Sequence, residues 1–207
     1  MLEIAYNNYK GRSSRDHKDH RFLLIPGGVG IGKTRMGWES QHLLSSIKSK
    51  DYDNDDFKEA LKDPCYIFVD LNDRLRYTSS FDNEVESSVR IGARVAIASG
   101  LVSEELPTLI NENIQLFNLS DVIYEIVKRR IIMKQRSIDA IIIHLDEYQI
   151  YISNTQKGKN MTWTQACDFF KLMLREIGSV MRGSMMTGTE NELLFHDLRG
   201  KYFIIPI

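Results

Sequence analysis

Four glycines fall within six residues, in Gly27-Gly28-Val29-Gly30-Ile31-Gly32, and Lys33-Thr34 follows at once. Few local structures use that order. A short apolar run at 22–25 precedes the glycines and a helical pattern over 33–47 follows them, so the stretch reads as a strand, a glycine loop and a helix. Glycine lets the backbone curl until its N–H groups converge on one point, and the start of the helix adds the positive end of its dipole. The pattern is G-x-x-x-x-G-K-[ST], which predicts phosphate binding by Gly27, Gly28, Val29, Gly30, Ile31, Gly32, Lys33, Thr34 and Arg35. Lys33 is placed to reach the β- and γ-phosphates of a nucleotide and to assist catalysis there, and Thr34 to set its hydroxyl on Mg²⁺.

Periodicity then alternates between short β-rich runs and longer helical patterns, the signature of an α/β fold with a mainly parallel sheet. Strands are expected at 22–25, 65–70, 140–145, 184–187 and 202–205. Helices are expected at 33–47, 87–101, 119–135 and 163–181, with Met36, Leu43, Leu44 and Ile47 lining the inner face of the first and Ser120 capping the third. Acidic residues 51–59 read as a solvated connector or helix start. The architecture predicted is a three-layer core with a five-stranded, mainly parallel sheet over 22–207, preceded by a polar segment, 1–21. The chain is long enough, at 207 residues, for one such domain.

A phosphate loop supplies no carboxylate, and the apolar run at 140–145 ends in Asp146-Glu147, at the end of a strand where open α/β sheets present their ligands. Asp146 is the expected Mg²⁺ partner, acting through water, and Glu147 the expected base for the attacking water. The fourth strand ends in Thr187-Gly188-Thr189, where Thr187 either senses the γ-phosphate or simply caps a glycine turn. Lys33 and Asp146 are 113 residues apart, enough to insert a further strand between the two motif strands.

Pro26 to Arg35, the run His144-Leu145-Asp146-Glu147-Tyr148-Gln149 and Thr187-Gly188-Thr189 together resemble a P-loop NTPase of the AAA+/STAND type, in the version found in Crinkler effector proteins. The resemblance implies ATP and Mg²⁺ as cofactors, hydrolysis as a switch or motor, a homo-oligomer or an effector-domain partner, and action in a host nucleus. It also implies a helical lid and a completing arginine, neither of which is visible after the fifth strand, so an isolated core with slow turnover is expected. The guanine-reading sequence Asn-Lys-x-Asp does not occur, which favours ATP over GTP. A nucleotide-binding module without efficient turnover and a small-molecule kinase remain alternatives.

Other features narrow the class. With 27 Lys+Arg against 28 Asp+Glu, no bulk charge draws the chain to nucleic acid. No apolar run approaches the roughly 20 residues of a membrane-spanning helix, and no secretory signal is apparent, so a soluble intracellular protein is expected. Cys65 and Cys167 are read as reduced and buried. His17 and His20 lie in a polar stretch read as linker rather than metal site. Lys128-Arg129-Arg130 reads as a solvated helix face, with a trans-acting arginine as the sharper possibility. Trp163, Phe169, Phe170, Met173, Ile177 and Met181 read as a core stripe.

Overall fold

The computed structural model describes residues 2–14, 16, 21–23, 32–46, 54–111, 114–135, 139–181 and 202–206. They form eight α-helices and three strands: α1 Leu2–Gly11, α2 Lys33–Ser45, α3 Asp55–Lys62, β1 Cys65–Asp70, α4 Ser79–Asp82, α5 Ser87–Ala98, α6 Leu119–Lys134, β2 Asp139–Asp146, α7 Tyr148–Lys159, α8 Trp163–Met181 and β3 Tyr202–Pro206. Two 3₁₀ segments, Leu106–Asn111 and Ile114–Phe117, lead into α6. The chain divides into two compact units. Unit 1 comprises Met1–Ile67, Val127–His144 and Met181–Ile207; unit 2 comprises Phe68–Ile126 and Leu145–Val180.

Unit 1 is organised on a sheet of order β1-β2-β3, in which β2 and β3 run parallel with Asp139 opposite Tyr202 and Ile143 opposite Pro206. Ala140 to Ile143 are buried without a break, as a strand covered on both faces requires. Around it, Ala5 and Tyr9 of α1, Leu44 of α2 and Phe57, Ala60 and Leu61 of α3 join Ala140 and Ile142 in one core cluster. Full burial of each large apolar side chain contributes about 1.5–3 kcal/mol. The entry to α3 is set locally: the Asn54 side chain accepts from Phe57 N at 2.9 Å, and Asp55 and Asp56 favour the positive helix end. α1 is tied to the sheet by Asn8, whose amide donates to the Ile204 carbonyl at 2.9 Å.

Unit 2 is built from helices. α5 is buried at every residue from Ser88 to Ile97, and at Gly92 an added Cβ would collide with the Phe117 carbonyl and the Leu119 backbone. α8 turns Ala166, Phe170, Met173, Ile177 and Val180 inward at three- and four-residue spacing. Trp163, by contrast, is exposed and Phe169 half-buried.

The expected three-layer core with a five-stranded, mainly parallel sheet is therefore corrected. The described residues carry one three-stranded sheet and eight helices. The physical reason is that most of the described chain between β1 and β3 buries itself as helix: in α5 and α8 the apolar residues recur at helical spacing, and α7, which lacks such a stripe, is held by burial of Tyr151, Ile152 and Thr155. Phe22 and Leu23 carry no strand, and the rest of that expected strand, together with 184–187, lies outside the described residues. The stretch 1–21 begins with a helix whose Ala5 and Tyr9 are core residues. Both cysteines are reduced thiols, as expected, and half-buried rather than buried.

Candidate functional site

The helix that follows the glycine loop is α2, and Gly32 opens it with a left-handed backbone, φ 82° and ψ 23°. A Cβ at Gly32 would touch nothing, so glycine is required there by backbone conformation and not by space. The first intrahelical bond of α2 runs from Met36 N to the Gly32 carbonyl at 2.8 Å. Lys33, Thr34 and Arg35 thus hold the first turn, whose N–H donors a helix leaves without an intrahelical acceptor. Lys33 is half-buried; Thr34 and Arg35 are exposed, and Arg35 stands 3.8 Å from Glu39 one turn on. Gly27 to Ile31 and Thr187 lie outside the described residues.

The face that α2 buries differs from the expected one. Gly37, Ser40 and Leu44 are buried, whereas Met36 and Leu43 are exposed, as is Trp38; Ile47 lies outside the described residues. The cause sits on β2: the ring of His144 packs against Gly37 so closely that any Cβ at 37 would fall on the imidazole. His144 is itself buried, and its Nδ1 shares a 2.7 Å hydrogen bond with the Tyr66 hydroxyl of β1.

In unit 2, Asp146 ends β2 as expected and is buried, accepting the Glu147 N–H at 3.0 Å on its own carboxylate. Glu147 is half-exposed and occupies the N-cap of α7 at φ 56° and ψ 32°, a left-handed conformation uncommon for a non-glycine residue. Its carbonyl receives the N–H groups of Ile150 and Tyr151 at 3.0 and 3.3 Å, so the turn that presents the carboxylate is fixed by the helix it starts. Among the described residues no group of three or more His, Cys, Asp or Glu could hold a metal by themselves. The Thr34 hydroxyl in unit 1 and, taken separately, the Asp146 carboxylate in unit 2 are each a hard oxygen donor of the type that Mg²⁺ accepts.

Two arginines prove structural: Arg130, read from the sequence as part of a solvated helix face or as a trans-acting donor, and Arg94, which sequence reasoning left aside. In unit 1, Arg130 donates through Nε to the buried Asp139 at 2.6 Å and through Nη2 to the Asp63 carbonyl at 2.7 Å, while Lys134 pairs with Asp63. Arg130 is therefore already engaged within its own unit. In unit 2, Arg94 is fully buried on α5 and donates to the carbonyls of Leu75, Arg90 and Arg76 at 2.7, 2.9 and 3.0 Å, and to Asp82 at 2.8 Å. Asp82 also accepts the Tyr151 hydroxyl at 2.7 Å. Burial pushes the Tyr151 phenol well above its ordinary value; Arg94 opposes that shift and Asp82 adds to it. Burial likewise lowers the Arg90 guanidinium from its ordinary value, partly offset by Tyr151 and Asp82.

No family model, curated protein or solved structure matches the chain. Among the described residues, no helix is long and apolar enough to cross a membrane.

Proposed function

We propose that the chain binds the phosphates of ATP, with Mg²⁺, through Gly27–Thr34 and hydrolyses the nucleotide. One observation carries this reading: the glycine-rich motif ends in a left-handed glycine that opens a 13-residue helix, with Lys33 and Thr34 in its first turn. The backbone N–H groups of that turn and the helix dipole attract the phosphates, Lys33 neutralises their charge, and Thr34 offers Mg²⁺ an oxygen. By sequence motif, Asp146 serves the metal through water and Glu147 takes the proton of the attacking water. The similarity of these motifs to the NTPase domain of Crinkler effectors supports a switch or motor role for the hydrolysis.

Calorimetric titration with Mg-ATP tests binding, and phosphate release under the same conditions tests turnover. Lys33→Ala is expected to weaken binding about 10- to 100-fold, the value of a charge-assisted contact. Glu147→Gln is expected to bind normally and to release phosphate about 10²- to 10⁴-fold more slowly. Unchanged affinity in the first variant refutes the phosphate loop. Binding without phosphate release by the wild type reduces the function to a nucleotide-binding module.

A further inference from the structure

We propose that His144, held by Tyr66, is a positioning residue: its ring is the seat on which α2 rests, and it thereby sets where Lys33 and Thr34 stand. The inference rests on the phosphate-binding reading of α2 and adds to it a determinant outside the motif.

Three elements of unit 1 meet at this seat. Tyr66 on β1 holds the imidazole through a 2.7 Å hydrogen bond to Nδ1, which fixes the ring against rotation about its side-chain bonds. The ring then abuts Gly37 of α2 with no space for even one methyl group. Gly37 stands four residues after Lys33, on the same face of the helix one turn along. Ser40 and Leu44 continue that buried face, and the Ser40 hydroxyl returns to the Gly37 carbonyl, so the stretch beside the ring is locked within the helix as well. Met36 and Trp38, the neighbours of Gly37 in sequence, are exposed. The helix is therefore located at this end by backbone against an imidazole that the Tyr66 hydrogen bond restrains. An α-helix transmits a displacement as a rigid rod over one turn, so raising Gly37 raises Lys33 and Thr34 with it. Misplacing a binding group by about 1 Å can cost on the order of 100-fold.

The experiment is Mg-ATP titration of the full chain, wild type against Gly37→Ala, Gly37→Ala/His144→Ala and Tyr66→Phe, each well below its unfolding midpoint. Gly37→Ala is expected to weaken Mg-ATP binding about tenfold or more, because the new methyl lifts α2 off the ring. Adding His144→Ala is expected to recover most of that loss, since the methyl then enters space the ring has left. Tyr66→Phe keeps the aromatic volume and removes the hydroxyl, and is expected to weaken binding about threefold. A role in stability alone would lower the unfolding midpoints and leave the dissociation constants unchanged. That result overturns the inference, as does a double variant no better than Gly37→Ala. If Gly37→Ala fails to fold, Tyr66→Phe decides: unaltered affinity rejects the seat. A wild type that does not bind Mg-ATP refutes the phosphate-loop reading and the inference together, whereas a binding wild type with insensitive variants refutes the seat alone.

Discussion

The two units use the same device, a helix carrying two cations, for opposite ends. In unit 1, α2 bears Lys33 and Arg35 in its first turn, and its described buried face is Gly37, Ser40 and Leu44. In unit 2, α5 is buried through ten consecutive residues and draws both Arg90 and Arg94 inside with it. Arg94 finds protein acceptors for four N–H bonds, three of them backbone carbonyls of its own unit. A guanidinium committed in that way organises the chain around itself and has little left to offer a ligand. Cations in the first turn of a helix face the positive end of its dipole and gain little from it, and under the proposed function they would meet the phosphates of a bound nucleotide. Internal acceptors in that number mark Arg94 as a structural cation.

The sharpest way to break that contrast is Arg94→Met. It strands Asp82, whose side chain is wholly buried and whose remaining partners are the Thr78 N–H at 2.7 Å and the Tyr151 hydroxyl. Removal of one member of a buried pair costs about 3–5 kcal/mol. Lys33→Ala, at the edge of α2, is expected to change stability by no more than about 0.5 kcal/mol. Urea unfolding of the two variants beside the wild type supplies the comparison. A loss below about 1 kcal/mol for Arg94→Met would show that the network does not organise unit 2.

The sequence revealed elements whose pattern is local and hid those whose partners are remote. β1 at Cys65–Asp70 and α8 at Trp163–Met181 coincide with the expected spans, and β2 begins one residue earlier and ends one later than expected. Long apolar periods specify such elements almost alone. α7, with the polar run Ser153-Asn154-Thr155-Gln156-Lys157, has no clear apolar stripe; it forms because Tyr151, Ile152 and Thr155 find burial in unit 2. α3 carried a readable signal, an Asn before two Asp with Phe57, Ala60 and Leu61 at helical spacing, which its acidity obscured. For α2, Leu44 is buried as expected but Met36 and Leu43 are exposed, because the rest of the described buried face is Gly37 and Ser40, and a glycine against an imidazole has no hydropathy signature. The order of the site residues was legible in Gly32-Lys33-Thr34 and Asp146-Glu147; Tyr66 and His144 were not, since they lie 78 positions apart and meet only in the sheet. Asp82 and Arg94 were hidden likewise, beyond the reach of any helical pairing.

A second test sharpens the comparison through pH. Tyr151 is buried in the Asp82 network and its phenol is held well above the ordinary value, so the folded chain retains that proton more tightly than the unfolded chain. The associated stability is present in full below about pH 10, where the unfolded phenol titrates, and is lost as pH rises above it, at about 1.4 kcal/mol per pH unit for one proton. Burial raises Tyr77 too, opposed by its hydrogen bond to Asn83, and its effect has the same sign. Tyr151→Phe is expected to cost about 1–3 kcal/mol at neutral pH by leaving an Asp82 oxygen short of a donor. It is also expected to flatten the loss of stability above about pH 10. Denaturant midpoints of both proteins from neutral to alkaline pH measure this, and identical alkaline slopes would remove Tyr151 from the account.

The smallest effect concerns Arg35, the cation on α2 with the least structural employment. Its Nε lies 3.8 Å from Glu39, with the two side chains 84% and 52% exposed, so the pair is long and open to solvent. Exposed pairs at this helical spacing contribute about 0.3–0.5 kcal/mol, and the order of basic then acidic residue is the less favourable one. A cation in the first turn also faces the positive end of the dipole, which offsets part of that gain. Arg35→Ala is therefore expected to leave stability within about 0.5 kcal/mol of the wild type. Phosphates bound at this turn would still feel the lost charge, so Mg-ATP affinity should fall modestly at low ionic strength, and the difference should shrink as salt screens it over a Debye length of roughly 10 Å at 0.1 M. Titrations at two salt concentrations decide the matter. Equal affinities at low salt would place the phosphates away from Arg35, and a stability loss above about 1 kcal/mol would make this first-turn arginine a structural cation of the kind found on α5.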